Sequence, residues 1–321
     1  MRQKILYLFT RTPLHIGAGL SSGLIDHPVL RERHTALPII PGSTLKGAFA
    51  GQWTEPAPAP SGGGKTIAGS PRQAEGTWLF GAAAGDETGS SPGALQFSEA
   101  KLLAFPIRSA RGGFGWITSP LVLQRFARDG GMKGYKEDGQ PDYNFLPKGE
   151  LREDQALFSK TGPLSISDRV VFEEYAFNYA GELPGSAGQT PGLADHLRAV
   201  LPRDPVWSEV SNRLAVVNDG ILCYFSQTAC EFVQHASIDK ALGITQPGGV
   251  FSQENVPGET MFYACLNCFD ERGHNQPKDQ PRPPDEAFSA KLLDRGNLLQ
   301  FGADASTGLG YCTVELKDSV R

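Results

Sequence analysis

The feature that most restricts this chain is its punctuation: 38 glycines and 24 prolines are spread along 321 residues. Glycine opens positive-φ turns, and proline fixes φ while removing a backbone donor, so long uninterrupted helices are excluded. Short strands and helices joined by frequent turns fit instead. With 40% hydrophobic residues, the chain can bury one large core or two modest ones.

Hydrophobic periodicity places the elements. Residues 3–10 (QKILYLFT) alternate as a half-buried strand and run into a turn-rich stretch carrying His15 and Gly17. Residues 37–40 predict a short apolar strand entering a helix near Gly42, with Ser43 as N-cap and Leu45, Ala48 and Phe49 on its buried face. Residues 55–76, rich in Pro, Gly and Ser, predict a mobile insertion within one domain, not a boundary. A strand is expected over 94–105, a glycine-rich basic loop over 108–115, polar irregular chain over 128–168, and helical segments broken by Pro202 and Pro205 over 192–214. Two strand-like runs within 229–256 flank a Gly/Pro turn and predict a protruding hairpin. A helix over 285–295 capped by Gly296, a strand over 298–302, a glycine loop over 303–310 and a strand over 311–316 complete the chain. Strands at both ends with helices between predict an α+β fold whose terminal strands share a sheet.

The net charge of −5 speaks against a nucleic-acid binder, but nucleic acid responds to local patches and not to the sum. Within residues 1–50, Arg2, Lys4, Arg11, Arg31, Arg33 and Lys46 outnumber Asp26 and Glu32, a basic excess that is equally a solvated face. No apolar run approaches the ~20 residues that cross a bilayer, and the first residues, lacking a basic region followed by a long apolar stretch and a small-residue cleavage site, predict a chain that is not exported. Five cysteines without small-scaffold spacing predict a reducing, cytoplasmic setting.

Two motifs are decoys. Gly62-Gly63-Gly64-Lys65-Thr66 mimics the end of a phosphate loop, but Ala59 stands where the first glycine belongs and no strand precedes it. Cys265 and Cys268 have half-zinc-site spacing, yet they lie in a strand-like run with no second pair, and His274 alone cannot complete four ligands. No nucleophile–base assignment stands out.

The ordered set LHIGAG (14–19), Asp26, RERH (31–34) and IIPGSTLKG (39–47) resembles the N-terminal signature of the RAMP-superfamily CRISPR proteins. Residues 94–120 (ALQFSEAKLLAFPIRSARGGFGWITSP), 253–264 (QENVPGETMFYA) and 299–311 (LQFGADASTGLGY) are similar to later signatures of that superfamily's type III-B backbone subunit. The resemblance implies a ferredoxin-like, RRM-related palm with a protruding β-hairpin thumb and irregular insertions. It also implies a helical filament of copies on a crRNA guide, joined by other effector subunits, that cuts paired target RNA beside each thumb. A non-catalytic guide coat and a guide-processing ribonuclease of the same superfamily are the alternatives.

The same resemblance assigns site residues. Asp26 is implied as the cleavage residue and as ligand to a divalent cation, Mg²⁺ or Mn²⁺, which favours carboxylate oxygen. His15 and Glu254 are secondary catalytic candidates, and His27 adjoins Asp26. Guide contacts are expected from Gly17, Arg31, Arg33, Gly42, Ser43, Thr44, Lys46, Arg111, Gly112, Gly113, Gly302, Ser306, Thr307, Gly308 and Gly310, through phosphate and sugar and not bases. Each also has an ordinary structural use: Ser43 as N-cap, the glycines as turns, Asp26 as a turn former, His15 as a buried histidine, Glu254 as a strand carboxylate.

Overall fold

The computed structural model describes residues 1–19, 25–54, 74–82, 90–132, 149–184, 192–239, 242–270 and 282–320. The chain opens with β1 (Arg2–Thr10), β2 (Ile39–Ile40), α1 (Gly42–Ala50), α2 (Ala74–Phe80), β3 (Gly81–Ala82), β4 (Ser91–Pro92) and β5 (Leu95–Phe97). There follow β6 (Ala100–Ser109), β7 (Gly113–Thr118), α3 (Pro120–Arg128), β8 (Gln155–Phe158), β9 (Arg169–Phe172) and β10 (Tyr175–Gly181). The remainder comprises α4 (Leu193–Val200), α5 (Val210–Arg213), β11 (Leu214–Val217), α6 (Asp219–Thr228), β12 (Glu231–Ile238), β13 (Thr245–Asn255), β14 (Met261–Cys268), α7 (Pro284–Asp294), β15 (Leu298–Gln300) and β16 (Tyr311–Asp318).

The terminal strands do share a sheet: β1 lies between β14 and β16, antiparallel to both. Strand β6 pairs antiparallel with β14 on its far side, giving the order β16-β1-β14-β6. Strand β1 is not half-buried as its alternation predicts, because Ile5 to Thr10 are all buried. One of its faces packs under helical chain, with Tyr7 against Phe126 of α3 and Phe9 against Trp207. A central strand covered on both faces reads as a continuous apolar run.

From β6 the sheet curls into a barrel-like closure through β7, β11, β8, β10 and β9, returning to β6 at Ser109 and Phe172. Of these six strands, β6 overlaps the strand expected over 94–105, whereas β8 falls in the stretch read as irregular and β11 begins where the helical reading ends. Strands β8, β9 and β11 are four residues each, too short to show a period. The stretch 108–115 is not an open loop but a tight turn joining β6 to β7. Among the described residues no helix is long and apolar enough to cross a membrane.

The predicted hairpin is present: β12 and β13 pair with each other, from Glu231↔Asn255 outward, and with no other strand among the described residues. The strands expose Phe232, Val233, Ile238 and Val250, and the chain between them exposes Leu242 and Ile244. The predicted insertion over 55–76 lies outside the described residues up to 73, as do Gly62–Thr66 and His274, whereas 74–76 begin α2.

Helix α1 starts two residues earlier than an N-cap at Ser43 implies. Its N-cap is Pro41, and no side chain caps it, so Ser43 is a first-turn residue. Gly42 is required there because a Cβ would lie 2.7 Å from the Phe97 carbonyl oxygen. This seats the helix entrance on the corner between β5 and β6. The spacing of Leu45 and Phe49 buries one face. Phe49 joins rings with Phe97, Phe288 and Phe301 at centroid distances of 5.5, 4.9 and 5.4 Å. Phe49→Ala is expected to cost about 3–5 kcal/mol in urea unfolding, as ring truncation in a packed core does. A loss below about 1 kcal/mol would show that this cluster does not hold α1 to the sheet.

Candidate functional site

Three loop segments converge on the foot of the hairpin, where β13 ends. Leu14 exchanges backbone hydrogen bonds with Val256 at 2.8 and 2.9 Å. The segment around His27 lies parallel to Gln253: the His27 N–H donates to the Ser252 carbonyl at 3.0 Å, and the Glu254 N–H donates to the His27 carbonyl at 2.9 Å. From the C-terminal loop, the Asp304 carboxylate accepts from Gln253 Nε2 at 2.9 Å. Gln253, Glu254 and Asn255 are all buried, three consecutive polar side chains in the root of a strand that begins exposed at Thr245 and Gln246. Buried polar groups of this kind persist only when hydrogen-bonded: Gln253 and Glu254 carry bonds that gather the loops, and Asn255 Oδ1 accepts from Gln253 Nε2.

Asp26 stands on the exposed side of this junction. Its Oδ2 accepts from the Ser252 backbone N–H at 2.8 Å and from Ser252 Oγ at 3.0 Å. These bonds, the backbone one foremost, hold its carboxyl below the usual aspartate range, with the neighbouring His27 adding to the effect. Oδ1 takes no hydrogen bond among the described residues, and the residue is exposed. His27 packs edge-on to Phe251 at 5.2 Å, and Phe251 stacks on His235 at 5.1 Å.

His15 is buried, with Nδ1 2.7 Å from the Glu254 carbonyl. Gly17 is needed beside it, since a Cβ there would come within 3.1 Å of His15 Nε2. Glu254 is buried too: Oε2 accepts from the Val29 N–H at 2.9 Å and Oε1 from Arg31 Nη2 at 2.5 Å. The structure therefore sets both secondary catalytic candidates inside the junction and not on its surface.

The candidate guide contacts divide. Ser43 and Lys46 on α1 and Arg33 are exposed, with no ion pair among the described residues, and Thr44 is half-buried. Ser306 and Thr307 are exposed on the turn after Asp304, and Gly308 faces open space. Gly302 and Gly310 admit the close approach of their own chain: a Cβ would lie 2.2 Å from the His15 carbonyl at Gly302 and 1.9 Å from the Phe301 carbonyl at Gly310. Arg111 donates to the Ser165 carbonyl and Gly112 accepts from Arg213, so this basic turn is tied to the barrel. Gly113 stays open and lines a cleft of about 410 Å³ with Arg108, Phe114, Glu173, Ala229 and Pro257.

Among the described residues no three His, Cys, Asp or Glu side chains cluster to hold a metal ion. Asp26 Oδ1 offers one oxygen, which suits a hydrated Mg²⁺ completed by phosphate and water but not a cation caged by this chain alone. Ser252 and Asp304 escaped the sequence reading. The signal that marks them is the QEN run, three polar residues closing an apolar hairpin strand.

The described fold therefore combines a sheet that joins the terminal strands, a barrel-like closure and a hairpin with an exposed carboxylate at its foot. The RAMP superfamily model matches residues 8–313, and the chain belongs to that superfamily. The CRISPR system Cmr endoribonuclease Cmr4 of Pyrococcus furiosus is 26% identical over 322 residues, covering 99% of this chain and 97% of that protein. The crystal structure of oligomeric Cmr4 from Pyrococcus furiosus has the same fold, with a TM-score of 0.65 at 24% identity over 99% of this chain and 98% of that one. A chain in the cryo-EM structure of the type III-B Cmr-beta complex bound to cognate target RNA gives a TM-score of 0.68 at 17% identity, covering 98% and 97%.

Ser252→Ala removes one of the bonds that keep Asp26 ionised. In a ¹³C carboxyl titration the Asp26 midpoint is expected to rise part of the way to the ordinary aspartate value, the backbone N–H bond remaining. An unchanged midpoint would show that the hydroxyl does not act on the carboxylate.

Proposed function

We propose that this chain is the repeating backbone subunit of a type III-B CRISPR effector, binding a crRNA guide as a filament of copies and cleaving the paired target RNA. The observation that carries the proposal is the tie of exposed, ionised Asp26 to Ser252 at the foot of the thumb. The relative in Pyrococcus furiosus is named an endoribonuclease, and its oligomer and the target-bound complex share this fold. We further read the palm as ferredoxin-like. Its order β16-β1-β14-β6, antiparallel throughout, with α1 between β1 and β6 and α7 between β14 and β16, is that of a split βαβ unit.

In this account the hairpin acts as a wedge. Its exposed apolar side chains enter the stack of the guide–target duplex and displace a nucleotide, as aromatic and aliphatic wedges do elsewhere. Displacement frees the adjacent backbone from A-form geometry, so that a 2′-oxygen can align with its own phosphate, and alignment supplies much of the rate. Asp26, fixed through Ser252 to the same strand that makes the wedge, is thereby held in register with the strained phosphate. A divalent cation, Mg²⁺ or Mn²⁺, bound through Asp26 Oδ1 would neutralise charge developing on that phosphate. The first turn of α1, with its uncapped N–H groups, Ser43, Thr44 and Lys46, serves the guide's phosphates, and the Ser306–Gly308 turn and Arg33 extend the track.

Asp26→Asn keeps the shape and the Ser252 bonds while removing the charge. It is expected to abolish target cutting by the assembled complex with target affinity unchanged. Wild-type cutting would make this chain a guide coat with chemistry elsewhere. Lys46→Ala is expected to weaken guide binding equally for all guide sequences and to lower the salt slope of log K by about 1. A loss confined to particular guide sequences would contradict backbone recognition.

A further inference from the structure

We infer that Arg31 and Glu254 form a buried clamp that positions Asp26 against the thumb, acting through that placement and not by touching RNA or the reacting atoms; this rests on the function proposed above. Every polar atom of Glu254 serves the junction. Its N–H donates to the His27 carbonyl, its carbonyl meets His15 Nδ1, Oε2 accepts from the Val29 N–H, and Oε1 accepts from Arg31. Two of these partners, His27 and Val29, bracket the backbone just after Asp26, so the carboxylate's position follows Glu254.

Arg31 spans the neck of the hairpin. Its Nη1 donates to the Ala36 and Ser226 carbonyls at 2.9 Å each, and its Nη2 to Glu254 and, at 3.3 Å, to Cys230 Sγ. Ser226 lies in α6 and Cys230 just before β12, so one guanidinium joins the chain entering the hairpin to the residue at which the hairpin returns. The side chains of Arg31 and Glu254 are 17% and 4% exposed. A guanidinium that grips phosphate presents its planar fork to the ligand. Here the fork is turned inward on a carboxylate and two carbonyls. A carboxylate whose two oxygens are both bonded inside the fold is equally ill-placed to take a proton from substrate or to hold a cation.

The test is made on the guide-loaded effector complex, reading single-turnover target cleavage and target affinity at two salt concentrations. Arg31→Ala and Glu254→Ala are expected to slow cutting about 100-fold, the scale of an ångström-sized misplacement, with guide and target affinity within about twofold of wild type. Arg31→Lys separates the roles. A point charge replaces a phosphate contact well but cannot reproduce the fork, so the clamp expects slow cutting at normal affinity. Glu254→Gln retains the shape and is expected to keep at least about a tenth of the wild-type rate, on the same ångström scale. Wild-type cutting by Arg31→Lys overturns the clamp, as does weakened binding with a reduced salt slope in Arg31→Ala. Complete loss of cutting in Glu254→Gln, matching Asp26→Asn, would make Glu254 a catalytic residue instead. Asp26→Asn run in parallel keeps the two proposals apart, because its activity bears only on the function proposed above.

Discussion

Three buried polar residues at the end of one strand organise this molecule's functional end. Gln253, Glu254 and Asn255 leave the hairpin and enter the protein: the Glu254 side chain is hydrogen-bonded to a segment more than two hundred residues earlier, that of Gln253 to one about fifty residues later, and Asn255 Oδ1 accepts from Gln253 Nε2. A strand end made of apolar residues would bury more favourably but would specify no partner. Unpaired polar groups at the same place would cost free energy for each bond left unmade. The consequence is a single arrangement in which the loops of residues 14–17, 25–31 and 302–304 meet at the thumb's root.

That arrangement explains why a two-stranded ribbon can project at all. A lone hairpin is marginal in water, and β12–β13 is paired to no other strand among those described. Its stability comes from the foot, where Arg31 joins the incoming and returning chain and Trp116 Nε1 donates to the Glu259 carbonyl at 2.7 Å in the turn that follows. Anchoring the foot leaves the apolar tip exposed, which a wedge requires.

Much of this was legible in the sequence, and the rest fails for identifiable reasons. The terminal strands, the hairpin, the last helix and the glycine loop announce themselves through period and turn residues, and β12, β13, α7, β15 and β16 stand where they are expected. The barrel does not announce itself: runs such as QALF, RVVF and LAVV are too short for alternation, and their pairing partners are distant. Glycine was the residue most readily misread. Close backbone approach is visible in sequence, but what approaches is not, and at Gly42, Gly302 and Gly310 it is the protein's own carbonyls. Arg31 and Glu254 show the same ambiguity in charged form, because a basic loop and a strand carboxylate look like ligand groups until their mutual pairing is seen. Asp26 was placed by its family signature; its geometry adds the Ser252 tie that no local pattern discloses.

The central claim is that RNA passes the thumb's foot with Asp26 facing it. A structure of the assembled complex holding guide and target tests this most directly. The account predicts an unstacked nucleotide against β12 and β13, with the neighbouring target phosphate beside the Asp26 carboxylate and guide phosphates at the start of α1. RNA running over the barrel's far side, with Asp26 turned toward protein, would contradict it.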